Sequence, residues 1–155
     1  MRCGLFCWAL GLAFAAGAAE AQPSSPPEPQ PPPARAWFTV SGDPGRDDAD
    51  TVQVDPVALQ SDADSRTMML RVSRARARQS WEGVPYRSYE AQVRFLCQAR
   101  RAEYLEIAYY TAPRWQGAVH RRVDYRANPQ PMLFKDAQPN PTQRIVRAAC
   151  DSRER

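Results

Sequence analysis

The sequence is poor in the residues that carry chemistry. Among 155 residues there is one histidine, His120, and one lysine, Lys135. A lone histidine does not by itself supply a nucleophile–base pair or a clustered metal-ligand set. His120 is followed by Arg121 and Arg122 and reads as an exposed strand residue. Glycine is also scarce, with 7 residues, and none falls in a phosphate-binding loop pattern. The acidic run of Asp47, Asp48 and Asp50 lacks the spacing of a calcium loop and reads as a solvated acidic loop. Glu90, Glu103 and Glu106 are expected to neutralise neighbouring arginines on paired strands, not to form a hydrolase dyad. The reading therefore contains no catalytic residue, no metal site and no cofactor, and the chain is expected not to be an enzyme.

The first 21 residues have the form of a Sec-type signal peptide. Arg2 supplies the positive start, Leu5–Ala16 the apolar run, and Ala19-Glu20-Ala21 the small-residue cleavage site. The run is shorter than the roughly 20 residues a membrane span needs, so no transmembrane segment is expected after cleavage. Cys3 and Cys7 leave with the leader, and neither has the context of a lipoprotein acceptor cysteine. Removing 21 residues from 155 leaves 134, enough for one domain with tails. Residues 22–35, QPSSPPEPQPPPAR, read as a polyproline tether, because proline has no N–H to give a sheet. Residues 151–155 form a polar tail.

Two cysteines remain, Cys97 and Cys150. An even count in an exported chain points to one disulfide, the alternative being two separate buried thiols. In a bacterium with two membranes an exported chain is expected in the periplasm or on the outer-membrane surface. Arg2 and Glu20 cancel, so the chain keeps its net charge of +4 without the leader. A basic exported protein meets sulfated glycans, lipid headgroups or acidic protein surfaces, and nucleic acid is not an expected partner.

The fold is organised around Tyr86–Thr111. Tyr89, Ala91, Val93, Phe95 and Cys97 share one parity, with Ser88, Glu90, Gln92 and Arg94 opposite. Leu105, Ile107 and Tyr109 share one parity on the second run. Period-two alternation marks two strands with one buried face, joined by a tight turn near Ala99. Further strands are expected at Ala36–Ser41, Thr51–Asp55, Arg66–Arg78 and Ala118–Tyr125. Pro56–Leu59 reads as one helical turn capped by Asp55, and Met132, Leu133 and Phe134 as an irregular crossing packed on the sheet. A last helix begins with Asn140 as N-cap, Pro141 at the first position and Gln143 in a capping box. Its stripe of Ile145, Val146, Ala149 and Cys150 must bury, and the face bearing Cys97 is the expected place. The expected architecture is α+β: a single domain with an antiparallel sheet of about six strands and a C-terminal helix tied to it by Cys97–Cys150.

The third strand conflicts with its own pattern. Arg74, Arg76 and Arg78 continue the parity of Met68, Leu70 and Val72. Either the strand leaves the core near Ser73, or a bulge shifts its register and turns Ala75 and Ala77 inward. Both expose a row of guanidiniums about 6.6 Å apart. The row is either free to bind or paired with Glu82 and Glu90. Arg74, Arg76 and Arg78, with Trp81 and Trp115 in the loops as the next candidates, are the candidate binding surface.

Several motifs recur together in one known family. They are A-W-x-x-V (Ala36, Trp37, Val40), V-x-V-D-P (Val52, Val54, Asp55, Pro56) and the Tyr86–Ser88 run. C-x-x-R-R (Cys97, Arg100, Arg101), the pair Tyr109-Tyr110 before Gly117, and a last helix ending in Cys150 complete the set. In these the domain resembles the surface-adhesin protein E family of Gram-negative bacteria. The resemblance implies an antiparallel sheet with a strand-to-helix disulfide, and binding of host extracellular-matrix proteins. The proline-rich tether and the lack of a lipoprotein cysteine depart from that pattern. The expected function is a non-catalytic envelope binding protein, with a periplasmic structural or assembly factor, or a small-ligand binder, as alternatives.

Overall fold

The computed structural model describes residues 35–151. The expected signal peptide, the tether up to residue 34 and residues 152–155 of the tail lie outside them. The strands are β1 (Phe38–Ser41), β2 (Thr51–Val54), β3 (Gln60–Ser61), β4 (Ser65–Gln79), β5 (Pro85–Leu96), β6 (Arg101–Tyr110), β7 (Arg121–Asp124) and β8 (Gln130–Pro131). A 3₁₀ turn spans Pro113–Trp115, and one helix, α1, spans Thr142–Asp151. The sheet runs β1-β2-β4-β5-β6-β7, with β3 added to β4 and β8 to β6, and these pairings are antiparallel. The six long-path strands match the expected number, and the two short ones extend it.

The central hairpin forms where the alternation placed it. β5 and β6 pair from Ser88↔Tyr110 to Leu96↔Arg101 around a turn at Cys97–Arg100. One departure matters. Gln92 pairs with Glu106 but Val93 pairs with Tyr104, so Leu105 is an extra residue on β6. The bulge flips the parity beyond it. Tyr104 and Ala102 therefore enter the core in place of the expected Leu105, which is half-buried.

β4 follows the bulge alternative. Ser73 pairs with Ser88 and Arg78 with Tyr86, so Arg74–Ala77 face only Arg87 on β5. A bulge strips backbone groups of ladder partners, and those groups need others. Arg87 supplies them: its Nε donates to Arg74 O at 2.8 Å and its Nη2 to Ala75 O at 2.8 Å. Ala75 is half-buried and Ala77 is exposed, so the shift does not turn Ala77 inward.

Two further expectations are corrected. Residues 56–59 form a bend, not a helical turn. Asp55 Oδ1 accepts from Val57 N–H at 2.9 Å, and Leu59 N–H bonds Thr67 O at 2.7 Å, which leads the chain into β3. The acidic loop is not merely solvated. Asp48 pairs with Arg46, Asp47 with Arg114, and Asp50 with Arg74. Gly42 brings Asp50 into place: it has φ 84°, and a Cβ there would lie 2.1 Å from Asp50 O.

One face of the sheet buries Val52, Val54, Leu70, Val72, Ala91, Val93 and Phe95, and α1 closes part of it with Ile145, Val146 and Ala149. The Cys97–Cys150 disulfide ties the helix to the central hairpin. Asn140 Oδ1 accepts from Thr142 N–H at 2.9 Å, as a cap should. Its Nδ2 donates to Leu133 O and Phe134 O. This holds the 130–136 crossing, in which Met132 and Phe134 are buried and Leu133 is exposed.

Candidate functional site

Five of the six tyrosines gather at the end of the core face that the helix leaves open. Tyr89 lies on β5, Tyr104 and Tyr109 on β6, with Tyr86 at the start of β5 and Tyr125 just after β7. Ring centroids of Tyr86, Tyr89, Tyr104 and Tyr109 lie 5.3–6.1 Å apart in tilted and edge-on pairs. The Tyr89 and Tyr104 hydroxyls share a hydrogen bond of 2.8 Å. Burial pushes the phenols of Tyr89, Tyr104 and Tyr125 up, and Tyr109 up to about 12. All four are neutral hydroxyls at physiological pH.

Arg74 brings a cation to this cluster. It keeps the core-facing parity of Leu70 and Val72 and is 5% exposed, while the bulge beyond it leaves Arg76 and Arg78 in solvent. Its Nη1 donates to Asp50 Oδ2 at 3.0 Å, and Asp50 Oδ1 accepts Ala75 N–H at 2.7 Å. One loop carboxylate thus holds both the guanidinium and the bulged backbone. The Arg74 Nε is buried with no hydrogen-bond partner among the described residues. The ring of Phe134 lies 5.7 Å from the guanidinium carbon.

Between the tyrosines, the β4–β5 turn and the 130–136 crossing lies a cavity of about 410 Å³. Arg74, Tyr86, Tyr89, Tyr104 and Tyr109 form its inner wall. Trp81 and Leu133, both exposed, stand at its mouth with Lys135 and Asp136. The Trp81 ring is held 6.0 Å from Tyr104 and 5.6 Å from Tyr125.

The five residues of the sequence-derived surface therefore fall in three places. Arg74 and Trp81 meet at the cavity. Arg76 and Arg78 stay exposed on the far end of β4, without an ion pair among the described residues. Neither Glu82 nor Glu90 pairs with the row; Glu90 accepts from the Tyr110 hydroxyl at 3.2 Å. Trp115 lies on the opposite sheet face. Its Nε1 donates to Tyr89 O at 2.9 Å, and its ring stacks on Arg71 at 4.0 Å, with Trp37 on the other side at 4.1 Å. Arg71 Nε also donates to Gln53 Oε1 at 2.8 Å. His120 is exposed just before β7, its backbone N–H bonded to Tyr109 O at 2.8 Å.

Sequence reasoning missed the tyrosine cluster itself. Tyr104 reaches it only because of the Leu105 bulge. A usable signal was present: all but one of the tyrosines flank the central hairpin or its exit, and a core does not need so many hydroxyls. The described residues hold no group of three or more His, Cys, Asp or Glu arranged for a metal ion. No helix among them is long and apolar enough to cross a membrane.

No curated protein and no solved structure matches the chain. The sequence pattern of one family, surface-adhesin protein E, matches residues 37–151, the whole sheet and its helix. The chain belongs to the surface-adhesin protein E family.

Proposed function

We propose that the chain is an exported envelope protein that binds an acidic partner, a host extracellular-matrix protein or a sulfated glycan, without catalysis. The family points to adhesion. The observation that carries the reading is the far end of β4, where Arg76 and Arg78 present guanidiniums to solvent with no carboxylate paired to them among the described residues. Guanidinium grips sulfate and carboxylate through paired N–H donors. The chain's net charge of +4 adds long-range attraction of the same sign.

The test is binding of the purified protein to heparin and to a panel of matrix proteins at two salt concentrations. Exposed charge pairs are screened over about 8 Å at physiological salt, so binding is expected to weaken steeply as salt rises. Replacing Arg76 and Arg78 with glutamine is expected to lower affinity with no change in melting temperature. Unchanged affinity, or indifference to salt, overturns the reading. Protease treatment of intact cells separates surface display from periplasmic residence.

A further inference from the structure

We propose that the tyrosine cavity is a binding site for a small monocarboxylate carrying a flat ring, with Arg74 as its anion anchor. This site is distinct from the Arg76 and Arg78 end of β4 and does not rest on the function proposed for that end.

The volume, about 410 Å³, lies in the range of small-molecule sites and is too small for a polymer to fold into. The charge is placed deep. Arg74 is 5% exposed, and one carboxylate, Asp50, engages it from the loop side. Guanidinium has five N–H donors. Here Nη1 bonds Asp50, while Nε is buried without an acceptor among the described residues. Arg74 lines the cavity, and a carboxylate entering it accepts from guanidinium N–H groups that Asp50 does not use.

The rest of the lining sets the ligand's other properties. Tyr89, Tyr104 and Tyr109 are neutral hydroxyls, and among the described residues Arg74 is the one cation of the inner wall. At the rim Lys135 and Asp136 balance each other. Asp50 already offsets the charge of Arg74, so the cavity offers an anion N–H donors and no surplus positive charge, which favours a single negative charge over a dianion such as a phosphate monoester. The tilted rings of Tyr86, Tyr89 and Tyr109 offer faces and edges to an aromatic body, and Trp81 covers it at the mouth.

The test uses ¹⁵N-labelled protein and NMR, with 2-naphthoate as probe and the uncharged 2-naphthalenemethanol as its control. Naphthoate is expected to shift the Arg74 Nε–H signal, the Trp81 indole N–H signal and the amides of residues 130–136. The alcohol is expected to bind about tenfold or more weakly, because it leaves the guanidinium donors unmet. Trp81→Ala, at an exposed position, is expected to weaken naphthoate about tenfold with the fold intact. The Arg76→Gln, Arg78→Gln double variant is expected to bind naphthoate as the wild type does, so either proposal can fail while the other stands. Equal binding of acid and alcohol, shifts confined to other surfaces, or no saturable shift overturns the proposal. Displacement of naphthoate by a heparin tetrasaccharide at lower concentration also overturns it, by showing that the cavity reads an acidic glycan.

Discussion

The two ends of the core face are built from the same strands and behave as opposites. At the helix end, Val93, Phe95, Ile145 and Ala149 are all fully buried aliphatic or phenyl groups, and a disulfide closes the seam. At the other end the same β5 and β6 present tyrosines around a buried guanidinium, and a cavity remains. Aliphatic side chains have no directional demands and fill space as a jigsaw. Hydroxyls and a cation have directional demands: Tyr89 and Tyr104 hold each other at 2.8 Å, while the Tyr109 hydroxyl and Arg74 Nε are buried without a hydrogen-bond partner among the described residues. The contrast separates a part of the sheet that makes stability from a part that can receive a ligand.

Breaking the helix end gives the largest effect. Phe95→Ala opens a cavity under the helix and is expected to cost about 3–5 kcal/mol, read as a fall in the denaturant midpoint. A loss under 1 kcal/mol contradicts a tightly packed helix end. Cys97→Ala removes the cross-link that joins residues 53 apart and is expected to cost roughly 2–5 kcal/mol. Mass mapping without reductant should recover the Cys97–Cys150 peptide pair from the wild type. Tyr104→Phe is the mildest. It leaves the Tyr89 hydroxyl without its 2.8 Å partner and is expected to cost roughly 1–3 kcal/mol at neutral pH.

The same variant reports on pH. The buried phenols have folded values above the ordinary 10, so the folded state keeps protons that the unfolded chain releases. Their contribution is full below pH 10 and is lost as pH rises through the folded values. Wild-type melting temperature is expected to fall above pH 10. Tyr104→Phe has one phenol fewer and is expected to fall less steeply, and parallel curves would contradict the burial of that hydroxyl.

The legible parts of the fold are those with local periodicity. The alternation from Tyr89 to Phe95 placed β5, the stripe of Ile145, Val146 and Ala149 placed α1, and the two cysteines joined them. The illegible parts depend on single inserted residues and distant partners. Nothing near Leu105 signals that it is the bulge, yet it decides that Tyr104 faces the core. Arg74 reads as one of a row with Arg76 and Arg78. It stays on the core face that its parity gives it because Asp50, 24 residues earlier, pairs with it and Arg87 caps the freed carbonyls. The site was thus half visible: Arg74 and Trp81 were singled out, but as members of an exposed surface. Trp115 was singled out too, and its neighbours, Arg71 on β4 and Trp37 just before β1, are ones no local pattern connects to it.

That Trp37–Arg71–Trp115 stack bears on how the domain carries mechanical load. A pull arriving through the backbone at Arg35 meets Trp37 before it meets the four-residue edge strand β1. The stack has one guanidinium between two indoles and no covalent link, so it yields by sliding. At the opposite terminus the helix is covalently fastened to the central hairpin and cannot peel away. Under tension the N-terminal edge strand is expected to give before the disulfide-tied helix does. The tyrosine cavity is built on β4, β5 and β6, away from that edge.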